Sequence, residues 1–150
     1  MPEATVIRLA ETKPIPFGPD TFYQLLVGDD AGNTPVRVGI QTAEPGYAAG
    51  MHSHPYLEVL HILEGSADAW LEGQEDRPVR LEVGDTIALP PDVPHSFRVV
   101  GDRLLRLMGI HASPARIGHH LLAAGSTTDA VPYLLRAAET EAAIGPIEMR

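Results

Sequence analysis

The sequence predicts an all-β barrel or sandwich followed by a short helical segment, on three observations. Apolar and polar residues alternate in eight or more short runs up to His111. Fourteen glycines and fourteen prolines are spread along the 150 residues rather than gathered in one tract, a composition suited to short strands joined by tight turns. Beyond Ser113-Pro114 the chain becomes rich in Ala, Leu and Glu. The length allows one domain with a real core and is short for two.

Taken in order, Val6, Ile7 and Leu9 suggest an edge strand, and Pro14, Pro16 and Pro19 then exclude helix interior and predict an irregular arm. Phe22 to Val27 is a compact apolar run, GDDAGNTP a turn, and Val36 to Gln41 an alternating strand, which together read as a hairpin. After Glu44-Pro45-Gly46 a strand carries His52, His54 and Glu58 through Leu60 and Ile62 to a stop at Gly65. Ser66 to Leu71 returns, Val79, Leu81 and Val83 alternate with charges, and Gly84-Asp85 turns into Thr86 to Leu89. Pro90, Pro91 and Pro94 force an extended corner before His95. His95, Phe97 and Val99 share one parity, and Leu104 to His111 is the last strand. Residues 115–124 and 128–144 are predicted helical, with Thr127, Thr128 or Asp129 as N-caps and Gly145-Pro146 as a stop. The division expected is an N-terminal arm over 1–34, packed on the barrel or on a partner, a barrel over 35–112, and a helical tail over 113–150.

Composition narrows the chemistry. Eleven Lys plus Arg against 20 Asp plus Glu give a net charge of -9, which disfavours phosphate backbones and anionic lipid surfaces as partners. There is no cysteine, so a disulfide framework, a thiolate site and a thiol nucleophile are all excluded. The first residues lack a basic stretch followed by an apolar core, and no apolar run approaches a membrane span, so a cytoplasmic protein is expected.

Within Gly46–Gly65, His52, His54 and Glu58 stand at even offsets, which on a strand places them on one face. His95, following the proline corner on a neighbouring strand, adds a fourth candidate. Three imidazoles and a carboxylate suit Fe, Mn, Co, Ni, Cu or Zn as divalent ions and suit calcium less. His61 has the opposite parity to Glu58 and is expected to point away. His119 and His120 belong to the tail, where solvated or interface roles are expected. Met51, Tyr56, Phe97, Val99 and His111 are the expected pocket residues, with Tyr47 near the entrance. Arg37, Gln41, Arg98 and Arg106 lie on predicted strands, and an arginine inside a barrel would be a carboxylate clamp. Trp70, the single tryptophan, is read as core or as a dimer contact.

These residues resemble the two motifs of the cupin superfamily. The first is Gly, five residues, His-x-His, three or four residues, Glu, six residues, Gly, and Gly46, His52, His54, Glu58 and Gly65 match it throughout. The second is matched by Gly84, Pro90 and His95, with Asp92 where the family usually has glycine and Val99 where it often has asparagine. The likeness covers roughly residues 35–112. It implies a double-stranded β-helix, the jelly-roll barrel of a small single-domain cupin, with an ion held by His52, His54, Glu58 and His95 and one or two coordination positions left open.

Open positions mark a catalytic rather than a purely structural site. The first expectation is therefore a metal-dependent dioxygenase of the Fe(II) type acting on a small organic molecule, in which Glu58 tunes the ion's charge and can loosen to act as a base. The alternative is a non-oxidative isomerase, cyclase or lyase using Zn, Ni or Mn, or a small-ligand-binding protein without activity. Fold alone does not choose among these. A homodimer paired through the N-terminal strands is the expected assembly, with no nucleic-acid or membrane partner.

Overall fold

The computed structural model describes residues 3–28 and 35–112, together with Thr128, Val131, Leu134 and Leu135. Nine strands run in order: β1 (Ile15–Gly18), β2 (Thr21–Val27), β3 (Arg37–Ala43), β4 (Glu58–Glu64), β5 (Ser66–Leu71), β6 (Val79–Leu81), β7 (Thr86–Leu89), β8 (His95–Val100) and β9 (Leu105–His111). They form a six-stranded sheet in the order β1-β2-β3-β9-β4-β7 and a three-stranded sheet in the order β6-β5-β8. Every pairing among the described strands is antiparallel. Antiparallel strands can face a core on one side and water on the other, which explains the alternation in the sequence.

The core lies between the two sheets. Leu60, Ile62, Leu105 and Leu107 from the larger sheet pack with Ala67, Ala69, Leu81, Phe97 and Val99 from the smaller. Ile62, Leu105 and Leu107 are the largest side chains fully removed from water. On β5 the inner parity is Ala67 and Ala69, small enough for the bulkier Phe97 and Val99 of β8 to pack beside them. Gly65, with φ of +76°, makes the reversal from β4 to β5, and a Cβ there would run into the Leu104 carbonyl. Only glycine meets both demands without strain.

Three expectations about local structure are corrected. The strand expected at Val6 to Leu9 is absent. These residues lead into a 3₁₀ turn over Leu9–Glu11, Val6 and Ile7 are exposed, and the edge strand comes later, as β1. Pro16 is tolerated in β1 because it sits at the edge of the sheet, where a missing N–H breaks no interior ladder. The continuous strand expected from His52 through Glu58 is also broken. His52 makes an isolated bridge to His95, the chain bends at Pro55-Tyr56, and β4 begins only at Glu58. Pro55 has no N–H to continue a ladder, so the bend falls there. Finally, Val83 lies outside β6 and is exposed.

Thr128, Val131, Leu134 and Leu135 are helical, within the span read as a C-terminal helix. The rest of that tail, including His119, His120, the proposed caps Thr127 and Asp129 and the stop at Gly145-Pro146, and the hairpin turn at 29–34 lie outside the described residues, and Thr128 is itself helical. No helix among the described residues is long and apolar enough to cross a membrane.

Candidate metal centre

The four sequence-predicted ligands meet at one place, by a route the strand parity did not show. The segment from Tyr47 to His52 runs beside β8 like an extra strand: Ala49 N–H donates to Phe97 O, Val99 N–H to Tyr47 O, and His52 and His95 exchange both backbone bonds at 3.1 and 2.8 Å. This pairing sets His52 and His95 side by side. The bend at Pro55-Tyr56 then carries the chain into the larger sheet, where Glu58 opens β4. Two imidazoles therefore come from the wall that holds β8 and the carboxylate from the larger sheet, with His54 between them.

The candidate ligand atoms of His52, His54, Glu58 and His95 all lie within 4.8 Å of one another. Glu58 Oε2 is 3.3 Å from His54 Nε2 and 2.9 Å from His95 Nε2. Donors bound to one ion at about 2.0–2.2 Å are separated by roughly 3–4 Å, so the group needs only small rotations to close on a divalent cation. The ring nitrogens are prepared for it. His52 Nδ1 lies 2.7 Å from Gly50 O and His95 Nδ1 lies 2.9 Å from Val93 O. A carbonyl only accepts, so each Nδ1 carries the hydrogen and each Nε2 is turned toward the centre. The residues present fit a metal ion.

Glu58 and His95 are almost fully buried, His54 partly so, and His52 is exposed, which sets the group in the barrel wall with one side toward solvent. Burial works against charge on Glu58, but hydrogen bonds with His54 and His95, and the neighbouring His111 and His54 rings, hold its carboxyl far below the usual carboxylate range. Burial likewise opposes charge on His95, and its bonds to Glu58 and the Val93 carbonyl outweigh this and raise its pKa. His111 differs: burial dominates and lowers its pKa despite the Glu58 carboxylate 3.6 Å from its Nε2.

A cavity of about 420 Å³ opens beside the group, within the size range of small-molecule sites. Strand register lays out its sheet wall in three rows. Arg37, His111 and Glu58 are direct partners across β3, β9 and β4, next come Gly39, Gly109 and Leu60, and then Tyr23, Gln41 and Leu107. Gly39 has no side chain to obstruct the Tyr23 ring, whose hydroxyl end occupies the place a Cβ would take. Tyr47 and Phe97 face each other at 5.9 Å between ring centroids on the opposite side.

Of the expected pocket residues, Tyr56, Phe97 and His111 line this cavity, and Tyr56 stacks on His54 at 5.1 Å. Met51 and Val99 do not line it. Met51 is exposed on the chain leading to His52, and Val99 is turned into the core two residues past Phe97. Arg37 and Gln41 are on the cavity, whereas Arg98 pairs with Asp68 at 2.9 Å and Arg106 is not among the lining residues. His61 points away from the centre and bonds Thr86 at 2.8 Å. Trp70 is half-buried beneath the Arg98 guanidinium. Tyr23, Leu60 and Leu107 escaped the sequence reading. Leu107 shares the parity of His111, a signal that was present, but Tyr23 depends on the hairpin register, which the turn residues leave open.

Comparison with known proteins agrees with this geometry. The cupin domain family matches residues 39–111, from within β3 to the end of β9. Protein SchB of Streptomyces halstedii is 33% identical over 99 residues, covering 63% of this chain and 70% of SchB. The chain belongs to the cupin superfamily.

This cupin is also 35% identical over 91 residues to polyketide synthase CurC of Streptomyces cyaneus, covering 60% of the present chain. The match spans only 56% of CurC. The solved structure of the polyketide cyclase RemF from Streptomyces resistomycificus shares the fold at a TM-score of 0.63 and 19% identity, over 73% of this chain and 79% of RemF. The departure at Asp92 now has a physical reading. Its φ of 62° is the left-handed conformation that the family's glycine adopts freely, and among non-glycine residues aspartate is one of the few that tolerate it. Asp92 N–H also donates to His54 O at 2.6 Å, tying the proline corner to a ligand-bearing segment.

Proposed function

We propose that this cupin is a metal-dependent enzyme that cyclises a small enolisable polyketone without oxidation, through the group His52, His54, Glu58 and His95. The observation that carries the reading is the placement of that donor group on a cavity walled mostly by aromatic and aliphatic side chains. Apolar walls of this kind suit a folded carbon chain carrying a few carbonyl oxygens. The likeness to CurC directs the choice toward polyketide substrates, and the polyketide cyclase RemF has the same fold.

A divalent ion held by these residues would supply Lewis acidity, making the hydrogens beside a bound carbonyl easier to remove. The chain's own contributions follow from its geometry. His52 and His95 present Nε2 because their Nδ1 hydrogens are committed to carbonyls. Glu58, held anionic against burial by hydrogen bonds with His54 and His95, offsets the positive charge of the ion and serves as a ligand. Tyr47, Tyr56 and Phe97 exclude water and confine the chain so that its two reacting ends meet.

Diacetylacetone, a linear triketone, is a suitable probe. Its terminal methyl carbon can attack the far carbonyl, forming one carbon–carbon bond, and loss of one water gives orcinol with no change of oxidation state. Protein loaded with Zn(II) is expected to form orcinol with no dioxygen uptake, and His95→Ala, which removes a ligand, to lose both the metal and the reaction. Dioxygen uptake that requires Fe(II), with an oxygenated product, would instead establish the oxygenase. The substrate and a second copy of the chain are the proposed partners. Val6, Ile7 and Ile15 leave apolar surface exposed on the N-terminal arm, where a second copy could pack. Sedimentation equilibrium tests the dimer, and a monomer at all concentrations would exclude it.

A further inference from the structure

The side of the cavity running from Glu58 toward β3 carries polar atoms that the proposed cyclisation does not use. His111 Nδ1 is shielded from solvent and has no hydrogen-bond partner among the described residues, and the equally shielded Tyr23 Oη has the Arg37 guanidinium as its neighbour. Buried polar atoms are generally satisfied, so an unsatisfied one on a residue lining the cavity indicates a missing partner. Both residues line the cavity that also contains Arg37. The Arg37 guanidinium lies 5.8 Å from the Tyr23 ring centroid, and the Arg37 backbone is paired directly with His111, whose other neighbour is Glu58. Arginine is thus carried two strands from the ligand carboxylate, on the same face of the sheet, with histidine between them. Neighbouring strands are about 4.8 Å apart, which puts the backbones of Arg37 and Glu58 roughly 10 Å apart.

We propose that Arg37 and Tyr23, with His111 between them and the donor group, form a second anchor, which takes a carboxylate or enolate oxygen at the far end of the substrate while a diketone oxygen sits at the donor group. The inference rests on the cyclase reading and narrows its substrate class to acidic polyketones, those that carry a terminal carboxylate several carbons from the enolisable unit. Three features favour an anion over a neutral chain end. Arginine offers a planar set of donors matched to carboxylate oxygens. A phenol hydroxyl beside it can donate to the same group, and Gly39 leaves the space in which that hydroxyl lies. The net charge of -9 on the whole chain would otherwise repel an acid, so a cation inside the cavity gives the acid a local site.

Succinylacetone, a β-diketone with a carboxylate two methylenes away, its methyl ester, and acetylacetone, which lacks the carboxyl arm, separate the two anchors. Titration calorimetry with the full chain, with and without Zn(II), reads binding directly and needs no turnover. The acid is expected to bind roughly tenfold or more tightly than its ester, the difference associated with a hydrogen-bonded charge pair. Arg37→Gln and Tyr23→Phe should each shrink this ratio toward one, with metal content and acetylacetone affinity unchanged. Tyr23→Phe keeps the ring and removes only the hydroxyl, so the ligand-free variant should fold with the parent's metal content. It also keeps the test open if Arg37→Gln fails to fold. Equal binding of acid and ester by the parent protein, or an acid preference that survives in Tyr23→Phe and in any folded Arg37→Gln, would overturn the anchor. The cyclase reading fails on a separate result, the absence of any zinc-dependent acetylacetone binding, which leaves the acid-to-ester ratio still readable on the metal-free chain.

Discussion

At the level of single residues, the candidate centre is a proton-holding pair before it is a metal site. In the metal-free chain burial opposes both charges, but hydrogen bonds with His54 and His95 push Glu58 below its ordinary value of 4.5, and those with Glu58 and the Val93 carbonyl push His95 above its ordinary value of 6.5. The lowered Glu58 contributes stability above its unfolded pKa and loses it as pH falls through the folded one. The raised His95 contributes fully below its unfolded pKa and loses it as pH rises through the folded one. The pair is therefore strongest between those two ordinary values, where an ion must displace the proton to bind. Metal occupancy after dialysis is predicted to rise with pH above the ordinary histidine value and to fall on acidification. An ion retained well below the histidine range would contradict the assignment. Asp92 allows a test of the motif itself. Asp92→Gly, which relieves a left-handed φ of 62°, should be neutral or stabilising, whereas a β-branched Asp92→Val should lose about 1–3 kcal/mol in urea unfolding. A loss of similar size in both variants would mean that the aspartate side chain, and not its backbone, holds the corner. The ligand types and their spacing were legible in the sequence because imidazole and carboxylate chemistry depends on residue identity. Their route to one point was not legible: period-two parity assumes a continuous strand, and Pro55 breaks it.

At the level of elements, the two sheets have different tasks. The larger holds Arg37, His111 and Glu58 in one row across three strands, the row on which the proposed anchor rests. The smaller is secured on its outer face by Asp68, buried between Arg80 at 2.6 Å and Arg98 at 2.9 Å. Burial opposes the Asp68 charge, but both guanidinium bonds prevail and lower its pKa. Stability from a lowered carboxylate is complete above its unfolded value and disappears as pH falls through the folded one. Urea unfolding of the parent between neutral pH and about pH 3 should therefore show a steeper acid loss than that of Asp68→Asn, and equal slopes would remove the network from the account. Most strands could be read from alternation alone, since antiparallel sheets with one wet face write their burial into period two. The exceptions are informative. Val6 and Ile7 are apolar but exposed, and β1 contains proline, so the edge of the sheet carries the weakest sequence signal. Register escaped as well, because the hairpin turn does not determine that Tyr23 stands opposite Gln41.

At the level of the whole molecule, the barrel holds a largely apolar chamber with a group that could hold a metal in its wall and an arginine two strands away. The family and its barrel were recognisable because the motif residues govern turns and ligands that no other arrangement of this chain would bring together. The reaction was not, because it depends on cavity shape, and side chains such as Tyr23, Leu60 and Leu107 reach the cavity only through pairing. The expectation of a dioxygenase drew on the ligand set, which oxidative and non-oxidative chemistry can share. Ring closure is our proposal instead, drawn from the cavity and from the likeness to the polyketide synthase CurC. One measurement tests this most directly: the fate of diacetylacetone incubated with the zinc-loaded protein under argon, followed by mass spectrometry. Orcinol, formed with loss of one water and only when the metal is present, is the predicted result. An unchanged triketone under argon, converted only when iron and dioxygen are supplied and carrying oxygen atoms from that gas, would contradict it.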